Sequence, residues 1–171
     1  MYEALLGSGW ERLPEAVRAI HAPGTFRGRF AIRRGAGPAA GVAAWLCGFP
    51  AAGDDVSVEL VIARQGERFV WRRCFGGVVV TTWQRVETGT LREGFGPIRC
   101  DFELVAREDG LDFVQRAAWL ALGPRALRLP GWLAPRVHGR VCAAGDRVRV
   151  EVEIAAPVCG CVLAYAGEVR P

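Results

Sequence analysis

From Asp54 to the end of the chain, apolar and polar residues alternate with a period of two. Val56, Val58, Leu60 and Ile62 share one face of a first segment, which Gln65-Gly66 turns. Phe69, Trp71, Arg73 and Phe75 share a face of the next, ended by Gly76-Gly77, and Val79, Thr81 and Trp83 continue the pattern. After Gly94-Phe95-Gly96-Pro97, residues Ile98, Cys100, Phe102 and Leu104 alternate with Arg99, Asp101, Glu103 and Val105. Asp109-Gly110 is a strong hairpin pair, followed by Leu111, Phe113, Ala117 and Trp119. Gly145-Asp146 joins a strand near Val137 to Val141 with Val148, Val150, Val152 and Ile154, and a last strand runs from about Cys161 to Val169. Successive side chains of a strand point to opposite faces, so this spacing marks half-buried strands.

The first 50 residues follow a different rule. Leu13-Pro14 starts a helix, because proline at the first helical position gives up no needed N–H. Leu13, Val17 and Ile20 then fall on one face, and Ala22-Pro23-Gly24 ends it. Phe26, Phe30 and Ile32 alternate with Arg27, Arg29 and Arg33 in a strand. Pro38 opens an Ala-rich helix that Gly48-Phe49-Pro50 closes. The pattern predicts an α+β fold, mainly antiparallel β. About nine strands, joined by tight turns, form one strongly curved meander, half-open or closed into a barrel. The N-terminal helices are expected on its concave face. All 171 residues read as one domain, long enough to bury a core without disulfides or a structural metal.

Composition changes this picture little. The 22 basic residues are all Arg and the net charge is +4. They are spread along the chain without a stripe, and the aromatics do not follow the order of an RNA-stacking sheet, so no nucleic-acid partner is read. Met1 to Gly9 carries Glu3 and no basic leader, which predicts a cytoplasmic chain with reduced thiols. The uncharged stretch from Gly35 to Ala52 is broken by Gly and Pro. Its helix-compatible part, Pro38 to Phe49, is too short for a membrane span, which needs about 20 residues.

Cys142, Cys159, Cys161 and His138 are a conceivable zinc set, but Cys159-Gly-Cys161 is spaced too closely for the usual pair. The favoured reading is small buried thiols, with no metal and no cofactor. Ser occurs only at Ser8 and Ser57, outside any Gly-x-Ser-x-Gly, which argues against a serine hydrolase. Asp101, His138 and Glu59 are the acid–base candidates, and His21, at a helix end, is expected to be structural. Asp101 is either a surface charge or a pocket acid with a raised pKa.

Arg73 is the most informative residue, because it shares a face with Phe69, Trp71 and Phe75. An unpaired buried guanidinium is costly. Either Glu59 or Asp101 pairs with it, or an anionic group of a ligand does. The pocket expected on this basis lies between the sheet and the helix from Pro38 to Phe49. Trp45, Trp71, Trp83, Phe102 and Trp119 line it, with Arg73 as polar anchor. A fully packed aromatic core is the alternative for the same residues.

Several segments together carry a family resemblance. They are Leu5-Leu6-Gly7, Leu13-Pro14-x-x-Val17-Arg18-x-x-His21, Gly48-Phe49-Pro50 and Gly53-Asp54-Asp55-Val56. Glu67-Arg68-x-x-Trp71-x-Arg73-x-Phe75-Gly76, Glu93-x-Phe95-Gly96-Pro97, Leu133-Ala134-Pro135 and Leu163-Ala-Tyr165-x-Gly167 follow in order. The chain resembles the bacterial family called domain of unknown function 4166. The resemblance brings no established activity. It implies a domain often fused to one similar to saccharopine dehydrogenase, and hence a dehydrogenase-like protein partner for a free-standing version.

Three functions follow as expectations. The first is a binding domain for an apolar or amphipathic, possibly anionic, small molecule. The second is a cofactor-independent cyclase or isomerase in the same pocket. The third is an interaction module for the dehydrogenase-like partner.

Overall fold

Alternating side chains give each strand an apolar face, and the sheet buries these faces by curling until it meets itself. The computed structural model describes residues 1–123, 125–157 and 159–170. These form strands β1 (Gly24–Arg34), β2 (Gly53–Gln65), β3 (Arg68–Phe75), β4 (Val78–Glu87), β5 (Thr90–Phe95) and β6 (Ile98–Ala106). Strands β7 (Gly110–Leu122), β8 (Arg125–Arg128), β9 (Arg136–Ala144), β10 (Arg147–Ala156) and β11 (Gly160–Arg170) follow. The ladders are antiparallel. β1 pairs with β11, β6 with β7 and β7 with β9, so ten strands close a barrel and β8 hangs on β7 as an extra strand.

The sequence pattern misses β5 and β8. In β5, Leu91 and its neighbour Arg92 are both buried, which breaks the two-residue period. The four residues of β8 are all exposed and carry no face to recognise.

The helices are α1 (Tyr2–Leu6), α2 (Ser8–Arg12), α3 (Glu15–Ala19) and α4 (Pro38–Leu46). The helices do not lie along the concave inner face of the sheet as expected, because closure leaves that face a narrow interior; they pack at the two ends of the barrel. α1 and α2 pack near β6, and α3 against β9 and β10, burying Tyr2, Leu13, Val17 and Ile20 at one end. α4 leans on β1 and β11 at the other end. No helix among the described residues is long and apolar enough to cross a membrane.

Two seams make the closure possible. At β1–β11, a Cβ on Gly28 would lie 1.9 Å from the Glu168 carbonyl oxygen, and one on Gly167 2.2 Å from that of Arg29. Only glycine allows backbones this close. The second seam is at β7, which pairs with β9 through Gly110–Val114 and with β8 through Trp119–Leu122. Between these ladders, the Gln115 side chain takes the place of a peptide group. Its Nε2 donates to the Pro135 carbonyl at 2.8 Å, and its Oε1 accepts from the Val137 N–H at 2.7 Å.

Gln115→Ala removes both bonds and leaves two backbone groups unpaired. It is expected to lower unfolding free energy by about 2 kcal/mol in a urea titration. Amide exchange at Val137 should quicken. A change within about 0.5 kcal/mol, the scatter of ordinary surface substitutions, would remove Gln115 from the seam.

Candidate functional site

The inward faces of the strands surround a cavity of about 270 Å³. Phe30 of β1, Val58 and Leu60 of β2, Phe102 of β6 and Val152 of β10 supply apolar wall. Ile20 and His21, just after α3, line it from the helix-capped end. Toward the other end Phe49 stacks on Phe95 with centroids 5.3 Å apart. β3 contributes Trp71, Arg73 and Phe75, the face that its alternation marks.

β4 turns a polar face inward, Thr82 and Gln84, and these residues belong to a chain of hydrogen bonds. Tyr2 Oη donates to Gln84 Oε1 at 2.5 Å, and Gln84 Nε2 donates to Glu93 Oε2 at 2.9 Å. Arg73 Nη1 donates to Thr82 Oγ1 at 2.9 Å, and Nη2 lies 3.7 Å from Glu93 Oε1. The Arg73 guanidinium also stands 5.1 Å from the Trp71 ring centroid. Its carboxylate partner is therefore Glu93, in place of Glu59 or Asp101. Paired in this way, the guanidinium sits among apolar walls without being left bare.

Trp71, Arg73 and Phe102 are brought together on the cavity wall. Three other expected wall residues are not. Trp45 is 75% exposed on α4, which buries only its small residues Ala40 and Ala44. Trp83 follows the opposite phase from Thr82 and Gln84, so it points outward, against Gly94, with the Arg68 and Arg85 guanidinium groups 4.7 and 5.6 Å from its ring centroid. Trp119 points outward because β7 has a bulge. Asp101 pairs with Ala117 but Phe102 pairs with Gln115, so Arg116 is skipped and the phase flips beyond it.

The acid–base candidates lie on the outside of the barrel. Glu59 is bridged to Arg27 at 2.9 Å, and His138 is exposed on β9. Asp101 is buried under neighbours on the outer face. It accepts from Arg92 Nε and Nη2 at 2.6 and 2.9 Å and from Trp119 Nε1 at 2.7 Å. Burial alone would raise its pKa, but these bonds and the Arg92 and Arg128 charges outweigh it and hold the carboxyl below its ordinary value. Asp101 is thus a clasp for β5, β6 and β7 and not a pocket acid. The six cysteines are unpaired, and among the described residues no three His, Cys, Asp or Glu side chains stand together as a metal site.

His21, expected to be structural, stands in the cavity wall. Its Nδ1 is 2.6 Å from the Val17 carbonyl oxygen. That oxygen only accepts, so Nδ1 carries the hydrogen. The ring packs edge-on to Tyr2 and Trp71, with centroids 4.5 and 5.9 Å away. Burial lowers its pKa to about 4, against the opposing pull of the Val17 bond. The Cys100 thiol is pushed up to about 12 by burial and then by Glu93 and Asp101, which leaves it a poor nucleophile. Alternation alone does not mark Glu93, Gln84 or Tyr2 as site residues. Glu93 opens the segment Glu93-x-Phe95-Gly96-Pro97, and that was the available signal.

A family model described as domain of unknown function (DUF4166) matches residues 13–169. The fold is similar to the crystal structure of Rv2717c from M. tuberculosis, with a TM-score of 0.50 and 13% identity over 92% of this chain and 98% of that one. At that identity the likeness concerns the fold alone. No curated protein matches the chain.

The His21 environment makes a pH prediction. The unfolded chain takes up this proton near pH 6.5 and the folded chain only near 4. Between these values the unfolded state binds more protons, so this contribution is complete above pH 6.5 and declines toward pH 4, by roughly 3 kcal/mol in all. Urea titrations at pH 7, 5.5 and 4.5 should give a steeper loss for the native chain than for His21→Phe. Equal slopes would mean that His21 is not held neutral by burial.

Proposed function

We propose a function for this chain, which belongs to the family described as domain of unknown function (DUF4166), from its interior: it binds a small apolar or amphipathic molecule inside the barrel. The observation that carries this is the cavity of about 270 Å³, close to the lower end of the range for small-molecule sites, about 300 Å³. Its long apolar wall would take the body of the ligand, and the side bearing Trp71 and Arg73 its polar group. An anionic head would have to compete with Glu93 for Arg73, which favours an uncharged one.

The wall groups also favour binding over a proton-transferring cyclase or isomerase. Burial raises the pKa of Tyr2, Tyr165 and the Cys100 thiol and lowers that of His21, which moves all four away from the neutral range in which general acids and bases work best.

A second reading, an interaction module for a dehydrogenase-like protein, is supported by one observation. Large apolar side chains are exposed on α4, on the β7–β8 hairpin and in the loop before β9: Trp45, Leu46, Leu122, Leu127 and Trp132. Strand direction puts these segments at the end of the barrel away from α1–α3. Clustered exposed apolar residues mark contact surfaces. Joint replacement of Trp45 and Trp132 by Ser should abolish co-purification with a co-expressed dehydrogenase-like protein encoded beside this chain. Co-purification that survives the double change counts against this reading.

For the leading reading, the probe is N-phenyl-1-naphthylamine, neutral and fluorescent in apolar surroundings. One saturable site per chain is expected. Val152→Trp places a large ring in the cavity, and it should cut binding by at least about tenfold while the thermal transition stays cooperative. Undiminished binding to a folded Val152→Trp protein would place the probe elsewhere and defeat the proposal.

A further inference from the structure

Outside the hydrogen-bond chain from Tyr2 to Arg73, two buried nitrogens of the cavity wall are left without a partner. Among the described residues, His21 Nε2 and Trp71 Nε1 are buried and have no partner. Their residues are 4% and 6% exposed and both line the cavity. An unpartnered buried polar group costs about 1–3 kcal/mol, so two in one wall call for an explanation.

The two atoms are chemically opposite. Because Nδ1 of His21 donates to Val17, Nε2 presents a bare lone pair that accepts. Trp71 Nε1–H donates and cannot accept. The rings meet edge to face with centroids 5.9 Å apart, which puts a free acceptor and a free donor on neighbouring parts of the wall. A carboxylate would satisfy Trp71 but has no hydrogen for His21. An ammonium would satisfy His21 but cannot accept from Trp71. A hydroxyl does both through one oxygen. The only charges of the polar chain, Arg73 and Glu93, face each other, so the cavity asks for no net charge.

We infer that His21 and Trp71 form a hydroxyl-recognition site. The ligand in the barrel is an uncharged alcohol or phenol whose O–H donates to His21 Nε2 and whose oxygen accepts from Trp71 Nε1. This rests on the barrel being a small-molecule site, and it narrows the class of molecule.

Three probes of one shape test it: 1-naphthol, naphthalene and 1-naphthoate, titrated calorimetrically into the full chain. Two added hydrogen bonds predict that 1-naphthol binds about tenfold more tightly than naphthalene, with 1-naphthoate weaker than 1-naphthol. Trp71→Phe and His21→Phe should each reduce the naphthol-to-naphthalene affinity ratio toward one, whatever each change does to the affinity for naphthalene itself. In the unaltered chain, the Trp71 indole N–H resonance should move with 1-naphthol and stay with naphthalene, a readout that needs no variant to fold. If 1-naphthol and naphthalene bind alike, a buried water satisfies the two atoms and the hydroxyl site is refuted while the cavity reading stands. If the ratio is unchanged in both variants, these residues do not recognise the hydroxyl. If none of the three probes binds, both the site and the cavity reading fall.

Discussion

Closure of the sheet is the constraint from which everything else in this molecule follows. A ten-stranded barrel has an inside, and the inside exists only if the β1–β11 ladder forms. That ladder depends on the absence of side chains at Gly28 and Gly167, where a single carbon would collide with the facing backbone. A second seam, three ladders further round the barrel, is weaker. There β7 divides its pairing between β9 and β8, and one side-chain amide, that of Gln115, fills the interval. The barrel is thus closed by a continuous ladder at one seam and by a stitched one at the other.

Closure also explains why polar residues can be kept inside. Apart from the Trp71 indole, the inward polar groups on β3, β4 and β5 find partners on a neighbouring strand or on α1: Arg73 with Thr82 and Glu93, Gln84 with Glu93 and Tyr2. Cross-strand distance fixes these pairings, so the network holds register as well as polarity. α1 enters it through Tyr2, which ties the end cap to the wall.

Much of this was legible in the sequence, and the failures have a common physical origin. Period-two alternation located nine strands and placed Trp71, Arg73, Phe75 and Phe102 on apolar faces that turn out to face inward. Alternation says which residues share a face but not which face is inside. Where β4 carries Thr82 and Gln84 inward and Trp83 outward, choosing the more apolar face gives the wrong answer. The bulge at Arg116 inverts the phase of Trp119 without any residue that announces it. Trp45 misled because α4 is apolar all round and buries its smallest side. The place of His21 in the cavity wall follows from where α3 ends on the barrel, which no local pattern encodes.

The β1–β11 seam also bears on how the chain reaches this state. Arg27 pairs with Arg170, so the ladder that completes the barrel joins segments nearly the whole chain apart. The meander from β2 to β6 assembles from adjacent hairpins with little entropy lost in each. The seam has no such local route, and it contributes heavily to contact order, the quantity that slows folding of all-β chains. Until it forms, Phe30 and Tyr165, which meet across it with ring centroids 5.8 Å apart, face water. The cavity is therefore absent from any partly folded state that lacks this pairing, and a molecule held there stabilises the complete barrel alone.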